Sequence, residues 1–463
     1  MSNKQENRDN NPSENVANND CRRQSSPGGP PTSAGFRHYP PQSVCCTLTK
    51  QGQRFLSSLA AAEEPSTAAS LLRKFAASSS KHVALTTLSH LLSTSDPCPR
   101  LSSVAFALFA AIKRESWFSW NAKLVADVIA FLYKEERFEE AENLFGETVL
   151  KLGLKERDLC AFYCNLMDSN AKHKSERVFA DSCRELRKLM MQSGGVYTKQ
   201  RGYSAVAAGF CQMGYPEKAE NVVQEMVGNG VRVTAFELRS LVYGYGQKGL
   251  LEDMKRSIVW MENKGFGLDT VCCNMVLSSF GAHGEIQEMV SWLKKMKGLG
   301  VELSVRTYNS VLNWCPTIVF LLKDIKSAPL SIDGLVDGLE GDEASLVLEL
   351  LNSTVLDQVM ECSQSQLKLD LHGMHVSTAY FVLLQWFHEL KLRFVAGDCM
   401  TPAEILVVSG RGKHSSARGE SPVRGLAKEI FMRTKCPLRI DRKNIGCFIG
   451  KGKAFKDWLL HIL

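Results

Sequence analysis

The chain has 463 residues, 44% hydrophobic and 23% charged, the composition of a globular protein with more than one domain. No apolar run approaches the roughly 20 residues of a membrane-spanning helix, and 15 cysteines without paired C-x-x-C sets argue against zinc and for reduced thiols. The net charge of +7 is unevenly placed: residues 365–463 hold 16 Lys and Arg against 8 Asp and Glu, whereas 316–366 hold 2 against 9. A basic end preceded by an acidic segment reads as a binder of polyanions, nucleic acid foremost.

Residues 1–44 are rich in Asn, Ser, Pro and Gly and cannot offset the entropy of folding. Residues 1–50 are therefore expected to be a disordered N-terminal or targeting segment, although Glu6, Asp9, Glu14 and Asp20 depart from the acid-poor composition of organelle presequences. Helical hairpins are expected from Gln51, where Ala68, Leu71, Leu72 and Phe75 fall at helical spacing. They should continue to residue 315.

The clearest internal signal lies in residues 200–313. Gly214, Gly249 and Gly284 are 35 residues apart, as are Met226, Met261 and Met296, and Gly230, Gly265 and Gly300. One period shared by three columns implies stacked helix-turn-helix units. Gly214 then closes the first helix of a pair and Gly230 the second.

Residues 316–366 are expected to be an acidic linker. Beyond it, Leu367, Leu369 and Leu371 alternate as in a strand; Gly373 turns the chain, and Ala379, Val382, Leu383 and Trp386 mark a helix stripe. A strand from Glu404 to Ser409 runs into the loop "SGRGKHS", a helix follows from Ser421, "PLRIDRKNIGCFIGK" reads as a hairpin, and a short helix spans 456–460. The expected order β-α-β-α-β-β is that of a small two-layer α/β domain over residues 367–463. The glycine loop is not a P-loop: Gly410 and Gly412 are two apart, and His414 stands where the hydroxyl residue should be.

In the strand, Asp370 and His372 are two apart and expected on one face. Phosphodiester cleavage needs a base, an acid and positive groups around the developing charge. His372 suits the acid/base role by its ordinary pKa, and Asp370 would orient it or hold a divalent cation such as magnesium. Gly410 and Gly412 would let backbone approach a phosphate, and Arg411, Lys413 and His414 would clamp it, His414 serving as a second acid/base candidate. Two plainer readings stand beside this one: Asp370 and His372 could cap the following helix, and the basic surplus could bind without cutting.

The 35-residue period, the Met-x-x-x-Gly-Val/Phe ending and "RTYNSVLN" at Arg306–Asn313 resemble the pentatricopeptide repeat family. Tetratricopeptide repeats have a 34-residue period and a Trp, Gly, Ala, Pro pattern absent from this stretch. The resemblance implies an all-α solenoid that binds single-stranded RNA, reading one base per unit with the fifth and last residues. Those would be Ser204 with Thr234, Arg239 with Asp269, and Asn274 with Ser304, with Asn309 opening the next unit and Val271 sandwiching a base. The pair Asn274 and Ser304 implies a pyrimidine, cytosine first. "LDLHG" at Leu369–Gly373, "SGRGKHS" at Ser409–Ser415, and Asn444, Gly446 and Trp458-Leu459 resemble the Smr (small MutS-related) domain. The two resemblances together imply a monomeric plant factor for organellar RNA processing, chloroplast first and mitochondrion as the alternative, with an RNA endonuclease activity known for some Smr domains and not for others. The alternatives are a non-catalytic factor that protects or remodels transcripts, and a helical scaffold for proteins.

Overall fold

The computed structural model describes residues 48–62, 64–93, 99–153, 155–398, 400–410 and 421–462. From Lys50–Ala60 to Val305–Leu312 the described residues form helices joined by short turns. A row of first helices, Ala122–Lys134, Glu156–Lys172, Val196–Met213, Ala235–Lys248, Thr270–Ala282 and Val305–Leu312, packs each against the next. Five second helices, Phe138–Leu152, Glu176–Gln192, Pro216–Gly228, Leu251–Asn263 and Ile286–Gly298, alternate with them in the chain. The pairing follows from apolar spacing: Leu238, Leu241, Val242 and Tyr245 are buried on one helix, and Met254, Ile258 and Met261 on its partner, the i, i+3, i+4, i+7 face of an amphipathic helix.

The glycine and methionine columns share one cause. Gly214, Gly249 and Gly284 close first helices at φ of 86°, 77° and 78°, and Gly230, Gly265 and Gly300 close second helices at 68°, 76° and 67°. Left-handed backbone at this position lets the next N–H reach back across the last turn. Val231, Phe266 and Val301 accordingly donate to the carbonyls of Met226, Met261 and Met296 at 2.9–3.1 Å, while those methionine side chains are fully buried. The Met-x-x-x-Gly-apolar signature is thus a helix stop with its hydrophobic contact.

The acidic segment, expected as a linker, is folded. It carries the helices Pro316–Leu321, Ile332–Val336, Gly341–Leu351 and Val355–Val359, then strand β1, Met360–Cys362. Leu335, Leu346, Val347, Leu350 and Val355 are buried, and helical spacing gathers them while the acids are left outward or bonded. Glu343 accepts from the backbone N–H of Thr317 at 3.1 Å, and Lys297 ties to Glu349. Negative charge marked a solvated face here rather than an unfolded one.

Strands β2 (Gln366–Asp370), β3 (Glu404–Val408), β4 (Arg439–Ile440) and β5 (Cys447–Lys451) complete a five-stranded sheet in the order β1-β2-β3-β5-β4, parallel between β2 and β3 and antiparallel elsewhere. The expected β-α-β-α-β-β order therefore gains an edge strand from the acidic segment, and the closing helix is longer, Gly452–Ile462. Leu367, Leu369, Ile405 and Val407 are wholly buried, as period-two alternation requires.

The helix Val376–Ala396 is buried at every residue from Ser377 to Phe387, so it is enclosed rather than laid on a surface. It touches Pro422–Arg433 and Gly452–Ile462, and it also touches Val305–Leu312, the last helix of the row. Tyr308 meets Phe381 edge to face at 5.6 Å, while Trp386 and Phe387 pack on Phe455. Repeat row and sheet region thus share one core. Phe381, Trp386, Phe387 and Met374 are core side chains, and among the described cysteines all but Cys362 are buried.

Candidate functional site

Three places on the chain gather the residues singled out by sequence. The first runs along the row of first helices. Thr234, Asp269 and Ser304 are the N-caps of Ala235–Lys248, Thr270–Ala282 and Val305–Leu312, which explains a short oxygen-bearing side chain there whatever else it does. Arg239 Nη1 donates to Asp269 Oδ2 at 3.1 Å. Ser204 and Thr234 meet through Glu237: both Thr234 Oγ1 and its backbone N–H donate to Glu237 Oε2, at 2.6 and 2.7 Å, and the Ser204 hydroxyl faces Glu237 Oε1. Glu237, 1% exposed, was missed in the sequence. Its signal was present as the third residue of a capping box after Thr234.

Asn274 differs from the other two. It is 8% exposed, and its carboxamide Oδ1 has no hydrogen-bond partner among the described residues. An orphaned buried acceptor costs about 1–3 kcal/mol, so it is an atom suited to a donor from outside. Val271, one turn earlier, is half-buried.

The second place is where parallel β2 and β3 end, the customary ligand end of such strands. Strand β2 stops at Asp370, and His372 lies in the turn beyond, so the two do not share a pleated face. A turn joins them instead: Asp370 Oδ1 accepts from the backbone N–H of His372 at 2.9 Å. The carboxylate therefore holds the turn, not the ring and not the following helix, whose N-cap is His375. His372 is exposed, and a Cβ placed on Gly410 would stand 3.7 Å from its Cδ2. Gly410 has φ of 76°, and its N–H and that of Ser409 both donate to Gly446 O, at 3.1 and 2.8 Å. Arg411, Gly412, Lys413 and His414 lie outside the described residues.

The described residues do not fit a magnesium site. Lys368 Nζ stands 4.0 Å from Asp370 Oδ2, and no group of three or more His, Cys, Asp or Glu gathers among the described residues. Magnesium demands near-octahedral oxygen ligation, and a lone carboxylate beside an ammonium supplies little of it.

The third place joins the first two. Asn309, the fifth residue of the fourth unit, donates from Nδ2 to Gly373 O at 3.1 Å and accepts at Oδ1 from the N–H of His375 at 2.9 Å. Asn313, one turn further, meets His375 Nδ1. Partial burial pulls the His375 imidazole below its ordinary pKa. Asn313 and His375 had no signal in the sequence, because 62 residues separate them.

A model described as PPR repeat family matches residues 268–316, and one described as PPR repeat matches 202–231. A pentatricopeptide repeat-containing protein of Arabidopsis thaliana is 50% identical over 89% of this chain and 82% of its own length. The pentatricopeptide repeat-containing protein ATP4, chloroplastic, of Zea mays is 23% identical over 58% of this chain and 41% of its own. Another from Arabidopsis, named mitochondrial, is 24% identical over 24% of this chain and 26% of its own. Among solved structures, the pentatricopeptide repeat protein PPR10 in complex with an 18-nt psaJ RNA element is 15% identical, with a TM-score of 0.35, over 84% of this chain and 52% of that one. No described helix is long and apolar enough to cross a membrane.

Proposed function

Because this chain belongs to the pentatricopeptide repeat family, as half-identity to a plant member over most of both chains establishes, we propose that it binds single-stranded RNA along its row of first helices. The observation that carries the proposal is the convergence of fifth and last residues in successive units: Ser204 with Thr234 through Glu237, and Arg239 with Asp269 directly. One polar edge per unit, spaced along a stacked row, is the arrangement by which helical repeats read successive bases. Two of the three edges are already occupied by their own hydrogen bonds or ion pair. The third, at Asn274 and Ser304, keeps an acceptor open, so sequence preference concentrates there and favours a pyrimidine, cytosine first, with Val271 against the base face.

The C-terminal sheet region, which resembles an Smr domain, grips the sugar-phosphate backbone beyond the row. Its Lys and Arg surplus supplies charge, and the turn at Gly373 and the start of the loop at Gly410 supply close backbone approach. RNA cleavage is the second reading, favoured by the exposed His372 ring beside Gly410. In that reading His372 takes the proton of the attacking hydroxyl and His414 protonates the leaving oxygen, with Arg411, Gly412 and Lys413 around the phosphate and Asp370 holding the turn. Relatives named chloroplastic and mitochondrial support work in an organelle, the chloroplast first.

The test is binding of the full chain to oligoribonucleotides at several salt concentrations. Affinity should fall steeply with salt, and insensitivity to both salt and sequence would instead make the row a protein scaffold. For cleavage, His372→Ala and Asp370→Ala should lower rate far more than affinity, with folding checked by thermal melting. Intact protein that binds its crosslinked native RNA and never cuts it leaves the binding role alone.

A further inference from the structure

The row of first helices and the turn at the end of β2 are bolted together by a side chain at a reading position. Asn309 occupies in the fourth unit the place that Asn274 holds in the third, one 35-residue step earlier. Its carboxamide is engaged at both ends by backbone of the turn, Gly373 O and His375 N–H, a two-point lock that uses the donor and acceptor an asparagine would turn to a base edge. Gly373 is left-handed, at φ of 80°. Asn313 holds the ring of the same His375.

Packing behind the lock leaves no slack. Tyr308, beside Asn309 in sequence, is wholly buried against Phe381 and donates to Leu350 O at 2.8 Å. Tyr380 donates to Pro329 O at 2.8 Å, and Arg433 Nη1 to Ile325 O and Ala328 O at 2.7 and 2.8 Å. Core packing of this density does not slide continuously.

Resting on the RNA-binding reading above, we propose that Asn309 is a positioning residue that fixes the register between base reading and backbone grip. It ends the row of readers by docking the Asp370–His375 turn where the next base edge would be read. RNA leaving Asn274 therefore meets the His372 imidazole at one set nucleotide offset. With one base per unit, that offset is about one or two nucleotides.

The test uses the full chain and an oligouridine of about 20 nucleotides with one central cytosine and a single 4-thiouridine moved stepwise to either side. Photocrosslinks are mapped to two tryptic peptides, Gly265–Lys294, which contains Asn274, and Leu369–Lys391, which contains His372. In the native chain Leu369–Lys391 should be labelled from about one or two adjacent offsets on one side only. In Asn309→Ala and Asn309→Asp the labelled window should widen about threefold while labelling of Gly265–Lys294 holds. Amide exchange at His375, which needs no RNA, should quicken at least about tenfold in Asn309→Ala, which removes the acceptor of that N–H. Quickened exchange with an unchanged window overturns the register claim and leaves RNA reading intact. Exchange unchanged in Asn309→Ala overturns the lock itself. A native chain that crosslinks through neither peptide overturns RNA reading and register together.

Discussion

Two parts of the helical row use one turn with different residues. In the regular units the first helix stops at Gly214, Gly249 and Gly284; in the upstream units the same left-handed position holds Glu136 and Lys174, at φ of 59° and 56°. The hydrogen bond that follows is the same in all five, from Arg137, Ser175, Tyr215, Leu250 and Glu285 N–H to the carbonyls of Leu132, Asn170, Phe210, Tyr245 and Phe280. Between stops the spacing is 38 and 40 residues upstream and 35 thereafter. The stacked architecture tolerates a side chain at the left-handed position, which costs roughly 1–2 kcal/mol, and tolerates a drifting period. An even array of base-reading edges does not, which is why the proposed reading positions fall in the regular part.

The comparison is sharpest at the residue accepting that hydrogen bond. Four of the five are apolar or aromatic, but Asn170 is wholly buried with neither amide atom partnered among the described residues. Asn170→Leu should stabilise the chain by about 1–3 kcal/mol, read as a higher midpoint in urea, and a lower midpoint would mean that the amide has a partner in solution. Gly284→Ala should cost about 1–2 kcal/mol, since nothing stands within 4 Å of an added Cβ and the strain is that of backbone alone. Thr234→Ala should cost about 1 kcal/mol by removing a cap and one donor to buried Glu237. The smallest effect is expected at Glu136→Gly, a gain of about 0.5–1 kcal/mol after the glycine's greater unfolded entropy is set against relieved strain. A loss there would show that Glu136 makes contacts that outweigh its φ.

What was legible in the sequence follows the same division. Residues 200–313 announced themselves because glycine is the cheapest residue at positive φ and so recurs; Glu136 and Lys174 send no such signal. Strands β2 and β3 were legible from alternation at Leu367 and Leu369 and the apolar, mostly β-branched run Ile405–Val408. Strand β1 was not, being three residues long with Glu361 at its centre. Folding of the acidic segment was masked by its charge, although Leu346, Val347 and Leu350 carried helical spacing. For the candidate site, resemblance supplied the positions and the structure supplied their neighbours. Nothing local in "RTYNSVLN" tells that Asn309 bonds a turn 64 residues away, and the expectations for Arg411, Gly412, Lys413 and His414 lie outside the described residues.

The central claim is that this chain reads RNA and that its open reading edge is Asn274. The most direct measurement is equilibrium binding of the full chain to oligouridines carrying one central cytosine or one central adenine, repeated with Asn274→Ala. The native chain should prefer cytosine by about tenfold, roughly 1.4 kcal/mol, and the variant should lose that preference while keeping its salt dependence. Equal affinity for both RNAs in the native chain, or a preference that survives Asn274→Ala unchanged, would contradict the account.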